Sequence, residues 1–155
     1  MRFVVITAVL TLVAFAALGQ GMRDSSAVVS VKAPATVHAD VGGTVSITVG
    51  IEIDKGWHLY AHTDTTYYGI SVTGLDTIPL AAVSVEYPSG HKGKFLGETV
   101  TLLEGEQQLV ITGILMSELD KPLVLELECQ ACDSKSCLAP AWIPFEVAVK
   151  PVAKQ

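Results

Sequence analysis

The chain has 155 residues, half of them hydrophobic, with 16 acidic against 10 basic side chains and a net charge of −6. That acidity argues against nucleic acid or an anionic membrane surface as a partner, since both are met by a basic face. With the amino-terminal segment set aside, about 135 residues remain, which suits one domain. Met1-Arg2 opens the chain with a positive charge, and Phe3 to Leu18 is an unbroken run without one, followed by small residues at Ala17 and Gly19. Residues 1–20 therefore read as a secretory signal peptide, cleaved between Gly19 and Met22. The apolar run falls short of the roughly 20 residues that span a bilayer comfortably. Residues 21–26 are expected to be a flexible lead-in, 27–150 the domain and 151–155 a tail.

Strands and turns follow. Ala27 to Ala33 alternates, and Thr44 to Ile53 alternates strictly, with Val45, Ile47, Val49, Ile51 and Ile53 on one face. Further strands are predicted at Trp57–His62, Ala81–Pro88, Glu98–Gly105, Gln107–Leu115, Leu123–Cys129 and Trp142–Val149. Their breaks carry Gly, Pro or Asp: "DVGG", "DKG", "YPSGHKG", "EGEQ" and "LDKP". Thr63 to Pro79 reads as loop with one short strand. No helical period lasts three turns. Short strands of Val, Ile and Thr at this spacing predict an all-β, immunoglobulin-like β-sandwich.

All three cysteines fall in "ECQACDSKSCLAP", Glu128 to Pro140. In the preceding strand, Leu123, Leu125, Leu127 and Cys129 share a face, so Cys129 points into the core. Cys132 is three residues further on, roughly 10 Å at about 3.3 Å per residue, beyond the 7 Å or so that a disulfide allows between Cα atoms. Between Cys132 and Cys137 lie Asp133, Ser134, Lys135 and Ser136, all turn formers. A four-residue hairpin loop sets its flanking residues opposite each other, within bonding range. The expected pair is Cys132–Cys137, with Cys129 a buried free thiol. The residues alone leave three uses open for this cluster: a structural staple, a redox pair, or a metal site with His58 or His62. The metal reading lacks the second ligand pair of a structural zinc site.

Three stretches in order, "KGWHLYA" (Lys55–Ala61), "YPSGHKGKFLGE" (Tyr87–Glu98) and "CQACDSKSCLAP" (Cys129–Pro140), together resemble a known family. This is the amino-terminal periplasmic domain of the bacterial thiol:disulfide interchange protein DsbD. The likeness covers about Ala27 to Val149. It implies an immunoglobulin-like sandwich whose Cys132 and Cys137 cycle between dithiol and disulfide, as part of a protein-disulfide reductase system that needs no cofactor. The implied location is the periplasm. The implied partners are periplasmic thioredoxin-fold proteins and a membrane electron donor. By the same resemblance, Cys137 forms the mixed disulfide and Cys132 resolves it. Phe95, Leu96 and Gly97 match a loop that caps the pair, and Trp57 and Tyr60 match aromatic positions near it. Cys129 and Gln130 flank the site. Cys129 departs from the family, which commonly has Tyr there. The sequence ends at Gln155 without a membrane or thioredoxin-like domain, so the donor is expected to be a separate protein. Lys135 favours a thiolate while Asp133 and Glu128 oppose it, so rate control is expected to come from access. The rival reading is a non-catalytic binding module with Cys132–Cys137 as a staple, and the third is a metal-binding protein.

Overall fold

In the computed structural model, residues 23–153 are described; the signal-peptide reading of residues 1–20 lies outside them. The strands are β1 (Val29–Lys32), β2 (Thr36–His38), β3 (Thr44–Ile53), β4 (Leu59–Tyr60), β5 (Ser71–Thr73), β6 (Leu80–Glu86), β7 (His91–Phe95), β8 (Glu98–Leu103), β9 (Glu106–Leu115), β10 (Leu123–Cys129) and β11 (Ala141–Lys150). One four-stranded sheet has the order β1-β3-β9-β6 and a second the order β2-β11-β10-β5, while β4-β8-β7 form a smaller third sheet. The two larger sheets bury one continuous core. Val45, Ile47, Val49 and Ile51 of β3 and Leu109 and Ile111 of β9 meet Leu123, Leu125 and Leu127 of β10 and Phe145 and Val147 of β11. The protein is an all-β, immunoglobulin-like sandwich.

The alternation that marks these strands also sets their register. Each buried Ile or Leu contributes on the order of 1.5–3 kcal/mol, and a slip of one residue turns the whole apolar set of a strand to water. The β3–β9 ladder thus pairs Ile47 with Ile111 and Val49 with Leu109, buried residue against buried residue.

Three stretches differ from the sequence expectation. β7 begins inside "YPSGHKG", which reads as a break because Lys-Gly-Lys has no β signature. It is an edge strand paired only to β8, and lysines suit such an edge because they discourage further pairing. Gly93 lies where a Cβ would come within 2.4 Å of Leu102 Cδ1, so a side chain there would force the Leu102 side chain to shift. β2 has three residues and pairs in parallel with the end of β11. The expected strand Trp57–His62 contracts to Leu59–Tyr60, with His58 forming a separate bridge to Cys132. The short strand expected within Thr63–Pro79 is β5.

Asp24–Ser26, which the sequence assigns to a flexible lead-in, are hydrogen-bonded into the domain. Asp24 bridges Ala139, and a single 3-10 turn, Ser25–Ala27, follows with the Asp24 carboxylate accepting from the Ser26 N–H. Ser25 is fully buried.

Candidate functional site

Cys132 and Cys137 form a disulfide with Cα atoms 3.9 Å apart. The turn between them is built by its own side chains. Asp133 N–H donates to the Ser136 carbonyl at 2.8 Å, and Asp133 Oδ1 accepts from the N–H groups of Lys135 and Ser136, both at 2.7 Å. One residue outside the pair, Leu138 N–H donates to the Ala131 carbonyl at 2.9 Å. The flanking residues thus carry the ladder hydrogen bonds, and the cysteines occupy the close, non-hydrogen-bonded position between them.

On its other edge Cys132 pairs with His58: His58 N–H donates to the Cys132 carbonyl at 2.9 Å and Cys132 N–H to the His58 carbonyl at 3.0 Å. Directly opposed residues project to the same side. His58, Cys132 and Cys137 therefore form a row across the rim of the sandwich. Cys132 is fully buried in a satellite cluster with Tyr60, Phe95, Val100 and Leu102, against which Tyr67 packs. The rings touch edge to face: His58 lies 5.3 Å from Tyr60 and 5.4 Å from Phe95, while Tyr67 stacks on Tyr60 at 4.8 Å. Cys137, by contrast, is exposed. One sulfur of the bridge belongs to a residue open to solvent and the other to a residue sealed under aromatic rings.

Phe95 reaches this cluster from the β7–β8 hairpin. Its two-residue turn, Leu96-Gly97, has φ of +48° and +90°, the double left-handed geometry of a tight hairpin with matching twist. Phe95 is buried beneath that turn, whereas Leu96 is 70% exposed at its tip. Of the other expected residues, Tyr60 lies in the cluster beside Cys132. Trp57 does not: it packs against the main core, because its parity is opposite to that of His58 and Tyr60. Gln130 spans the base of the cysteine loop, donating from Nε2 to the Leu138 carbonyl at 3.0 Å. Cys129 is a free thiol buried in the main core. Burial pushes it up to about 12, with the charges of Asp24 and Glu128 acting the same way.

Three residues at the site have surroundings that a reading of the sequence does not assign them. Ser25 Oγ accepts from Ala131 N–H and donates to the Ala139 carbonyl, both at 2.8 Å, clamping the two arms of the cysteine loop. It lies 106 residues from Ala131, so no local pattern announces it. Asp64 accepts from Thr66 N–H at 3.0 Å and Tyr67 N–H at 3.1 Å through Oδ1, and from Thr101 N–H at 2.7 Å through Oδ2. It pins the Tyr67 loop to β8, and the "DTTY" stretch carried that turn signal. Burial opposes ionisation of Asp64, but the three backbone donors outweigh it and hold the carboxyl below its ordinary value. His58 is the third. Burial lowers its pKa, against the opposing pull of the Glu104 and Asp133 charges. Tyr60 is shifted upward, first by burial and then by Tyr67 and Asp64.

His62 is engaged elsewhere, with Nδ1 2.8 Å from the Ile70 carbonyl and its ring stacked on Tyr87 at 3.9 Å. Among the described residues no three His, Cys, Asp or Glu side chains converge as a metal set.

The fold and the bridge together define a class: a β-sandwich domain carrying a half-open cystine on its rim. The chain belongs to the family described as thiol:disulfide interchange protein DsbD, N-terminal, whose model matches residues 25–144. Domains of this family are periplasmic and work in general with thioredoxin-fold partners. Among solved structures, the N-terminal periplasmic domain of ScsB from Proteus mirabilis is similar, with 16% identity and a TM-score of 0.57 over 77% of this chain and 44% of that one. The N-terminal domain of Neisseria meningitidis DsbD in the reduced form is 20% identical over 80% of this chain and 86% of that one, with a TM-score of 0.48. The chain thus spans less than half of the ScsB structure, and at 16% identity that likeness bears on the fold alone. No curated protein matches. Family membership and the cysteine pair support a thiol–disulfide exchange domain. Among the described residues no helix is long and apolar enough to cross a membrane.

Proposed function

We propose that this domain passes electrons in the periplasm between a membrane or soluble donor and thioredoxin-fold clients by cycling Cys132–Cys137. The observation that carries the reading is the asymmetry of the bridge: exposed Cys137 is bonded to buried Cys132. A donor thiolate reaches only the outer sulfur. It attacks Cys137 Sγ, a mixed disulfide forms, and the electron pair of the broken bond leaves on Cys132 Sγ, which takes up a proton. Cys132 is positioned to undo that step, because the hairpin holds it against Cys137 whichever partner is attached. In the outward direction, reduced Cys137 attacks the client disulfide and Cys132 then attacks Cys137 Sγ, releasing the reduced client. Phe95 packs in the cluster that buries Cys132, so the cap leaves Cys137 as the point of attack. A staple needs no such asymmetry, and a loop this short adds only about 2 kcal/mol as a cross-link.

The assignment of the two sulfurs is tested with single variants. Cys132→Ala is expected to accumulate a mixed disulfide through Cys137 with a thioredoxin-fold protein that lacks its own resolving cysteine. Cys137→Ala is expected to give none. Equal trapping by both variants, or trapping through Cys132 alone, contradicts the assignment.

A further inference from the structure

We infer that His58 is the base that takes the proton from the buried Cys132 thiol when Cys132 resolves a mixed disulfide at Cys137. The inference rests on the exchange reading and deepens it. Sealing Cys132 protects the resolving sulfur, but it creates a difficulty, because only a thiolate is a competent nucleophile and burial among apolar groups disfavours one. Some group must take the proton where water does not reach.

The geometry offers one. The reciprocal backbone hydrogen bonds make His58 the directly opposed neighbour of Cys132, on the same face and on the side away from Cys137. Side chains so opposed have Cβ atoms about 4.5–5.5 Å apart. His58 is 7% exposed, and its ring is held edge to face by Tyr60 and Phe95, with Nε2 3.4 Å from the Tyr60 hydroxyl. The titratable groups around it are Tyr60 on β4, Tyr67 on the neighbouring loop, Glu104 after β8 and Asp133 in the cysteine turn. Glu104 is partly engaged by His91 at 3.4 Å. Burial outweighs the two carboxylates and lowers the pKa of the ring, which favours its neutral form.

The step balances. The Cys132 proton passes to the imidazole as Cys132 Sγ attacks Cys137 Sγ. The bond between Cys137 and the partner breaks, its electron pair stays on the partner sulfur, and the imidazolium or solvent protonates that sulfur. In reverse, the imidazolium returns the proton to Cys132 as it leaves.

The test mixes the reduced protein with glutathione disulfide, quenches with acid, and follows the glutathionylated form by mass spectrometry. In His58→Phe, which keeps an aromatic ring in the cluster, and in His58→Gln, loss of the mixed disulfide is expected to slow about 100-fold, the lower range for general acid–base catalysis. The wild-type resolution rate is expected to level off once His58 is neutral. The variant rates should climb about tenfold per pH unit through neutrality, following the thiolate fraction of the buried Cys132. Variants matching wild type in rate and profile overturn the inference while leaving the exchange reading intact. A wild-type protein that forms the mixed disulfide and never resolves it overturns the exchange reading itself. If neither variant folds, the wild-type profile decides: a plateau supports His58, and a continued tenfold climb through neutrality contradicts it.

Discussion

Ser25 holds the cysteine loop with one hydroxyl, between the Ala131 N–H and the Ala139 carbonyl. Removing it leaves a buried donor and acceptor to find other partners, at a cost of about 1–3 kcal/mol. Ser25→Ala is therefore expected to lower stability by that amount in urea denaturation, and an unchanged midpoint would show that the loop is held by other contacts. Cys129, two residues before Ala131 at the end of β10, lies in the main core. Its thiol is raised to about 12 by burial, with Asp24 and Glu128 adding to the shift. In the folded protein at pH 8 it is expected to resist iodoacetamide that labels Cys137 after reduction, and to react only on unfolding. Labelling of Cys129 at the rate of Cys137 would contradict its place in the core. The parity of "LVLELEC" made this thiol legible in advance, whereas Ser25 was not, because its partners lie more than a hundred residues away.

At the scale of elements, two segments aim the aromatic cluster. The β7–β8 hairpin turns at Leu96-Gly97, where Leu96 adopts φ +48°. A left-handed leucine costs roughly 1–2 kcal/mol, while Asn-Gly is the favoured pair for such a turn. Leu96→Asn is expected to stabilise the protein by about 0.5–1 kcal/mol, read as a higher urea midpoint, and a loss of stability would mean that the exposed leucine makes contacts worth more than the strain. The "KGKFLGE" stretch hid this strand, because Lys92, Gly93 and Lys94 carry no β signal and only their pairing with β8 makes them one. The second segment is the loop from Asp64 to Tyr67. Burial works against the Asp64 charge, but the Thr101, Tyr67 and Thr66 N–H groups lower its pKa below the ordinary 3.8. The stabilising contribution of a lowered carboxyl is present above the unfolded value and is lost as the pH falls through the folded one. The stability gap between the protein and Asp64→Asn should thus be constant near neutrality and shrink below about pH 4; a gap that widens in acid contradicts the assignment.

Across the whole molecule, the sandwich was legible because strict alternation in β3 and β10 leaves few ways to bury both apolar faces at once. The cysteine pair was legible for a related reason: four turn-forming residues leave their neighbours opposed. The part that decides chemistry was less so. That Cys132 is sealed and Cys137 open depends on Phe95 and His58 arriving from β7 and from the residues before β4, which no local pattern relates to the cysteines. The third sheet, β4-β8-β7, is the element that distinguishes this rim from a plain sandwich. Its Tyr60, Phe95, Val100 and Leu102 form the buried cluster around Cys132.

The most direct measurement is the reduction potential of Cys132–Cys137, by equilibration with glutathione buffers and mass spectrometry of the alkylated thiols. An exchanging bridge is expected to lie above about −300 mV, within reach of thioredoxin-fold carriers. A value well below that marks a permanent cross-link and contradicts the account.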